Sequence, residues 1–366
     1  GKLFVANGRI TTYTKNTVLS YMFCIVLFLI QVFRVENESQ RNLAFYQYVF
    51  YLIMIPGIQY LVDHSEIKRI TRVLKITGII LSICAIYEVA SGLYLIESSY
   101  LGIMYNGSRV IRAMVFSGSF LTFGTVMAVI SIVSFYDFYV EKGIFNLFCL
   151  IINVIGLIMS SSRGPLVSFI VGSVFVYVYI GGKTNAIKLV KIAFTALLMG
   201  LLLVTLGTAL SKTNSTIAFY WDRFQSIFDW TESSASNTSR ISCWVYSIEV
   251  FQEKFNWILG IGPAATGARA RANWGGFVTE SGILKRFLEL GSIIAIVYYT
   301  FFFFTVSSGV RKARKSNNTY MALSLGILVC ILIEDTILQV TEELSITFLL
   351  WSFICILYKK ADKNYR

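Results

Sequence analysis

The sequence predicts an all-α polytopic membrane protein, with about ten transmembrane helices and one large, partly helical outer loop. Three observations predict it. Of 366 residues, 56% are hydrophobic and 14% charged, with a mean hydropathy of +0.67; soluble domains carry about a quarter charged residues. The apolar residues are gathered into runs long enough to cross a bilayer as helix, which takes roughly 17–25 residues. The basic residues are gathered in the short breaks between runs. The net charge of +12 therefore marks membrane topology, and no nucleic-acid partner is expected.

The runs are 17–33, 43–61, 73–96, 114–136, 144–161, 165–181, 187–208, 288–306, 320–339 and 343–358. The breaks "DHSEIKRITRVLK", "GGKTNAIKLVK" and "VRKARKSNN" and the tail "KKADKNYR" are rich in Lys and Arg, and they alternate with less basic loops such as "VENESQ" and "TEE". The positive-inside rule puts both termini in the cytoplasm. It places "ESSYLGIMYNGSRVIR", "SSSRGP" and the polar stretch 211–287 outside. Three regions follow: N-terminal spans in 1–210, a large outer loop in 211–287, and C-terminal spans with a basic tail in 288–366. The chain opens on Gly1 and not Met, with no visible signal peptide. One or two further spans are expected ahead of it.

Cys24, Cys84, Cys149, Cys330 and Cys355 fall singly in apolar runs, and only Cys243 lies in the outer loop. No disulfide is expected there. His64 is the only histidine and falls in a cytoplasmic break, so an outward histidine metal site cannot be built. The acid pair Glu36 and Glu38 in "VENE" is a weak metal signal. No Walker-type phosphate loop is present, nor a Ser-His-Asp set. No metal and no cofactor are expected.

Residues 144–181 read as a helical hairpin with its tip at "SSSRGP". Gly164 is expected to break the first helix and Pro165 to start the second. Arg163 at this tip can anchor to lipid phosphate or bind a diphosphate bidentately. Arg109 and Arg112, in "SRVIR", are interface anchors or part of an outer basic patch. In the outer loop, "SNTSRISCWVYSIEVF" reads as a helix capped by Ser236 and Asn237. Its apolar stripe is Ile241, Trp244, Val245, Ile248 and Phe251. Arg240, one turn before Trp244, either snorkels at the interface or helps hold a diphosphate leaving group.

The glycines of "NWILGIGPAATG" allow close backbone approach or positive φ. "GARARANWGG" reads as a mobile loop whose Arg269, Arg271 and Trp274 suit gating or sugar stacking, or simply form a loop tip. After it, Glu280, Ile283, Leu284 and Phe287 share one face of a helix entering the membrane, with Lys285 and Arg286 pointing the other way. A carboxylate on that packed face is costly unless paired or used. Glu280 therefore reads as an arginine's ion-pair partner or as a general base on a sugar hydroxyl. Glu334 and Asp335, near the outer end of the ninth run, read as partners for an arginine, with a functional role as the alternative.

Four stretches in order, "SSRGP", "SRISCW", "WILGIGPAATG" and "TESGILKRFLELG", resemble the landmarks of the bacterial O-antigen polymerase and ligase family. They correspond to a Ser-Arg-Gly hairpin, an Arg-x-x-x-Trp helix, a Gly-x-Gly-Pro turn and a re-entering helix ending in Glu-x-Gly. The resemblance covers roughly Arg109 to Gly291. It implies a C-type glycosyltransferase fold and a metal-independent inverting transfer from a glycan on undecaprenyl diphosphate. It implies that Arg163 and Arg240 hold the diphosphate, with Arg109 or Arg112 helping. The partners it implies are undecaprenyl-diphosphate-linked oligosaccharides, as donor and acceptor, and it leaves room for a chain-length regulator protein. Where the ligases carry a proposed histidine base, this chain has Glu280. That departure favours a polysaccharide polymerase over a ligase; a lipid-linked glycan flippase is the reading from another class.

Overall fold

The computed structural model describes residues 15–53, 64–96, 102–180, 208, 211–212, 215–225, 235–253, 255–315, 318 and 320–358. The run 187–208 lies almost wholly outside the described residues, as do the second half of the run 43–61, the break "GGKTNAIKLVK" and the tail "KKADKNYR". The described chain is mostly helical. Four of its helices are long and apolar enough to cross a membrane: Ile67–Ser91, Phe120–Glu141, Arg163–Ile180 and Gly282–Lys315. Tyr21–Phe33, Ile144–Met159 and Leu344–Leu357 are shorter apolar helices. The protein is membrane-embedded, as its composition predicts. It divides into two compact units.

The first unit holds α1 (Lys15–Phe33), α2 (Glu38–Ala44), α8 (Ala235–Gln252), α9 (Asn256–Leu259), α10 (Ala268–Trp274), α11 (Gly282–Lys315), parts of α12 (Met321–Ile337) and α13 (Leu344–Leu357). Asn37 of "VENE" caps α2, its side chain accepting from the Gln40 N–H at 3.0 Å. The helix then widens into a π-type turn over Phe45–Phe50, a form frequent at functional sites. Tyr21, Phe28, Tyr298, Phe301, Phe302 and Trp351 form the aromatic packing of α1, α11 and α13. Gly291 interrupts α11 with φ 76° and ψ 164°. It lies so close to Gly260 that a Cβ on either would strike the other's backbone. The close approach expected of the Gly-x-Gly-Pro turn is real, and the helix entering the membrane is broken to allow it.

The second unit holds α3 (His64–Ser91) from Lys68 on, a β-hairpin, α4 (Phe120–Glu141), α5 (Ile144–Met159), α6 (Arg163–Ile180) and α7 (Ser215–Gln225). The hairpin pairs β1 (Ile103–Tyr105) with β2 (Ser108–Val110). It is an exception to the all-α expectation. Its signal was in the sequence, since Asn106 and Gly107 both take positive φ, and Asn-Gly is the preferred two-residue hairpin turn. Gly78 and Gly156 bring α3 against α5, as small residues do in membrane bundles. A buried Lys75 reaches Asp137 at 2.6 Å and Asn146 at 2.8 Å.

Helix starts differ from the apolar runs because runs report hydropathy, not hydrogen bonding. The third helix begins at His64, nine residues before its run. The fourth begins at Phe120, where Ser119 accepts from the Leu121 N–H. At the hairpin tip, Ser161 takes φ 49° and turns the chain. Gly164 and Pro165 sit inside the first turn of α6, which starts at Arg163. Helix N–H groups of the first turn need no internal acceptor, so Pro165 fits there.

Candidate functional site

In the first unit the site is built on Glu289. Its carboxylate is fully buried. It accepts from the Ala264 N–H (2.9 Å), the Thr266 N–H (2.9 Å) and the Thr266 hydroxyl (2.7 Å). Tyr48 of the π-turn donates to it at 2.6 Å, and Lys285 one helical turn back lies at 3.2 Å. One side chain thus ties the "GPAAT" turn, the π-turn and α11 together. Arg286 pairs with Asp335 at 2.6 Å, and Asp335 also accepts from the Thr341 hydroxyl at 2.6 Å. The expectation that Asp335 partners an arginine holds.

Lys285 is 4% exposed and Arg286 8%. The expectation that they face away from the packed side is overturned. Helix periodicity located the stripe but assumed that charge points outward; here ion pairs with buried carboxylates make the charged side the packed one. Ile283, on the supposedly packed face, is exposed.

Glu280 is not on that helix at all. It precedes Gly282 with φ 50°, a left-handed conformation costly for a residue with a Cβ. Its backbone carbonyl accepts from the Trp244 indole N–H at 2.9 Å. Its carboxylate lies 3.8 Å from Arg240 Nε, with both side chains about a quarter exposed, at 29% and 26%. Burial raises the Glu280 pKa above the ordinary carboxylate value, and the Arg240 charge opposes the rise. The Cys243 thiol is pushed up by burial and then by the charge of Glu280, while Arg271 acts the other way. Glu280, Arg240, Cys243 and Arg271 are therefore electrostatic neighbours near the N-terminal end of α8.

α8 packs through Trp244 and Ser247, the latter 2% exposed. Ile241, Val245 and Ile248 of the apolar stripe are exposed instead. In a membrane protein an apolar face needs no protein cover, so the small Ser247 and the Trp244 hydrogen bond decide which face docks. The helix starts at Ala235, so Ser236 and Asn237 lie inside its first turn and not at the position ahead of it.

The stretch expected to be a mobile loop is helix α10, bounded by Gly267 (φ 114°) and Gly275 (φ 76°). Arg269 pairs with Glu343 at 3.4 Å. Arg271 is exposed. The Trp274 indole N–H is buried without an acceptor among the described residues. Gly267 is required, since a Cβ there would strike the Glu342 carboxylate. Glu342 lies 3.6 Å from Lys285, and burial raises its pKa. Gln47, Tyr48, Lys285, Arg286, Thr341 and Glu342 border a cavity of about 20 Å³, room for roughly one water.

In the second unit, Arg112 clasps the hairpin tip. It donates to the Ser160 carbonyl (3.2 Å), the Ser161 carbonyl (3.0 Å) and the Ser162 hydroxyl (3.1 Å). Its guanidinium lies over the Phe120 ring at 3.3 Å. Burial, and then the charges of Arg223 and Arg163, lower its pKa to about 9, so it stays cationic at neutral pH. Arg163 opens α6 directly after the tip. Arg109 sits exposed in β2. Glu88 orders the segment before the tip, accepting from the N–H groups of Leu95 (2.9 Å), Met114 (2.9 Å) and Val115 (3.0 Å).

Sequence reasoning missed Glu289, Lys285 and Glu342 as the frame of the first unit. The Lys285–Glu289 spacing of four was the available signal. Among the described residues, no group of three or more His, Cys, Asp or Glu is arranged to hold a metal ion. No family model matches the chain, and no curated protein matches it.

Proposed function

We propose that the protein is an outward-facing polysaccharide polymerase of a bacterial plasma membrane, with both termini cytoplasmic. It extends a glycan carried on undecaprenyl diphosphate. The observation that carries the reading is Glu280: a half-buried carboxylate in a strained backbone, held through its own carbonyl by Trp244 and facing Arg240. Strain of this kind collects at functional sites. A carboxylate with a raised pKa takes a proton more readily than an ordinary one.

The reaction follows from those groups. An acceptor sugar hydroxyl gives its proton to Glu280, and its oxygen bonds to the anomeric carbon of the donor glycan. The bond from that carbon to the diphosphate oxygen breaks, and undecaprenyl diphosphate leaves with the electron pair. Arg240, beside Glu280, stabilises its charge, since a fixed guanidinium stabilises charge developing on a leaving group. Attack opposite the leaving group inverts the anomeric centre. Glu289 and Lys285 do none of this; they hold the turn and helix that present Glu280.

The test is a transfer assay with purified protein in nanodiscs. The substrate is the host's undecaprenyl-diphosphate oligosaccharide, with chelator present. A ladder of products spaced by one repeat unit is expected, and Arg240→Ala, still inserted in the membrane, is expected to abolish it. Normal long-chain product from that variant would remove Arg240 from the mechanism. A single transfer event without a ladder would make the protein a ligase. No transfer from a native substrate, even with metal restored, would sink the enzyme reading.

A further inference from the structure

The cavity of about 20 Å³ in the first unit has a wall that its neighbours leave incomplete. Both amide atoms of Gln47, on the π-turn, are buried and have no hydrogen-bond partner among the described residues. The same is true of Glu342 Oε1. Glu342 is 6% exposed and ends the one-turn helix Val340–Glu342 between α12 and α13. Both side chains border the cavity. Burying polar groups dry is costly, and most costly for a charged oxygen. The space between them suits one water.

The cations around Glu342 are engaged elsewhere. Lys285 donates to the Thr266 carbonyl at 2.7 Å and stands 3.2 Å from Glu289. It is 3.6 Å from Glu342 Oε2, beyond hydrogen-bond length. Arg286 is held by Asp335 at 2.6 Å and lies over the Tyr298 ring at 5.1 Å. Arg269 of α10 pairs with Glu343, both part-exposed. Tyr48 donates to Glu289 and Tyr51 to the Leu344 carbonyl. Glu289, Asp335 and Glu342 thus share two buried cations, and Glu342 is the carboxylate left over. On its other side Glu342 presses against Gly267, where no Cβ fits. Burial raises its pKa; Lys285 opposes the rise, while Glu289 and Glu343 add to it. A metal ion suits this place poorly, because Lys285, Arg286 and the Gln47 N–H groups stand in the same wall. A proton on Oε1 suits it well. It turns the unpartnered oxygen into a donor, and one water can accept from it and donate to Gln47 Oε1.

We propose that Glu342 is a proton-binding switch: it stands neutral in this arrangement, joined to Gln47 through one water in the cavity, and its ionisation unseats α10 at Gly267. An ionised carboxylate needs several donors, and the cavity holds a single water. α11 is fixed by the Lys285 and Arg286 pairs. The segment of Glu342 is fixed by Thr341, whose N–H and hydroxyl both reach Asp335. α10 is seven residues long and its pair with Glu343 is part-exposed, so it is the side that yields. The proton passes to bulk water and no other bond changes. The π-turn has a part in this, since it brings the adjacent Gln47 and Tyr48 to one buried cluster. The inference does not rest on the polymerase reading.

The test uses the full chain in nanodiscs. Infrared spectra of wild type at neutral pH are expected to show the carbonyl stretch of a protonated carboxylic acid, and Glu342→Gln is expected to remove it. Gln47→Leu should keep the band and move it to higher frequency, because the acid loses its hydrogen-bonded chain; this assigns the band even if Glu342→Gln folds poorly. Glu342→Gln mimics the neutral acid and should melt like wild type at neutral pH. The raised pKa means that the folded state holds the proton more tightly, so the stabilisation is full below the unfolded value and is lost as pH rises through the folded one. Wild type should therefore fall below Glu342→Gln in melting temperature as pH rises, and trypsin should cut after Arg271 faster in wild type than in Glu342→Gln at the same alkaline pH. Absence of the acid band, or a band indifferent to both substitutions, would overturn the proposal. So would a Glu342→Gln protein much less stable than wild type at neutral pH, which would make Glu342 an ionised partner of Lys285. A melting temperature that falls when sodium is replaced by choline, in wild type but not in Glu342→Gln, would make the cavity a cation site and also overturn it. Equal cutting after Arg271 in the two proteins at every pH would refute the unseating of α10.

Discussion

Glu280 and Glu289 stand nine positions apart on one segment of the first unit, and they live in opposite conditions. Glu289 is fully buried, on regular helix, with four hydrogen bonds and a lysine around it. Glu280 is partly exposed, in left-handed backbone, with one distant arginine. The difference teaches how a carboxylate's work follows from its partners. A carboxylate whose lone pairs are filled by four donors is a strut and has no capacity left for chemistry. A carboxylate held through its backbone, with its oxygens open, can accept a proton from something else.

The comparison breaks most sharply by removing each carboxylate. Glu289→Ala leaves Ala264, Thr266, Tyr48 and Lys285 without their buried acceptor, and is expected to cost about 3–5 kcal/mol. Loss of folded yield and a large fall in melting temperature in detergent would show it; a near-native melting temperature would refute the strut. Glu280→Gln should melt like wild type while transfer slows by about 10²–10⁴-fold, the usual worth of a general base. Full activity in that variant would end the base assignment.

The pH dependence sharpens the same contrast. Burial raises the Glu280 pKa, so the base is lost on acidification earlier than for an ordinary glutamate near 4.3. The acid limb of the transfer rate should therefore lie above that value. Arg240 lowers the pKa, so any residual activity of Arg240→Gln should show a limb displaced further upward. For stability the sign is opposite in sense. The folded state holds the Glu280 proton more tightly than the unfolded chain does. Its contribution is full below the unfolded value and declines as pH rises through the folded one. A limb at or below that of ordinary glutamate would contradict the assignment.

Smaller effects test the supports. Trp244→Phe keeps the ring and removes the hydrogen bond to the Glu280 carbonyl, and should cost about 1 kcal/mol in a melt. It should also slow transfer more than that figure suggests, because the strained backbone loses its tether. Arg269→Ala removes a half-exposed ion pair with Glu343 and should cost about 0–1 kcal/mol. A larger loss would mean that α10 depends on that pair more than on Gly267 and Ala270.

How much was legible differs by scale. The apolar runs gave the membrane class and located most described helices, because hydropathy is a property of each segment alone. The expected partnership of Asp335 with an arginine was also readable, since a carboxylate at a span end needs one. The β-hairpin and α10 were missed although Asn106-Gly107 and the glycines flanking "ARARANW" signalled them. The stripe readings of α8 and α11 failed for a shared reason. Periodicity names a face but not what covers it, and in this protein lipid can cover the apolar one.

By itself, the sequence determined that the chain enters a membrane and that arginines and a carboxylate accompany the long polar stretch. Only the tertiary structure decided that Lys285 and Arg286 are buried, that Glu289 is the strut and Glu280 the open carboxylate, and that Arg112 clasps a tip turned by Ser161. These outcomes depend on partners distant in the chain: Tyr48 for Glu289, Asp335 for Arg286, Ser160 for Arg112. A charge's cost of burial is settled by what meets it in space, which no local window of sequence contains.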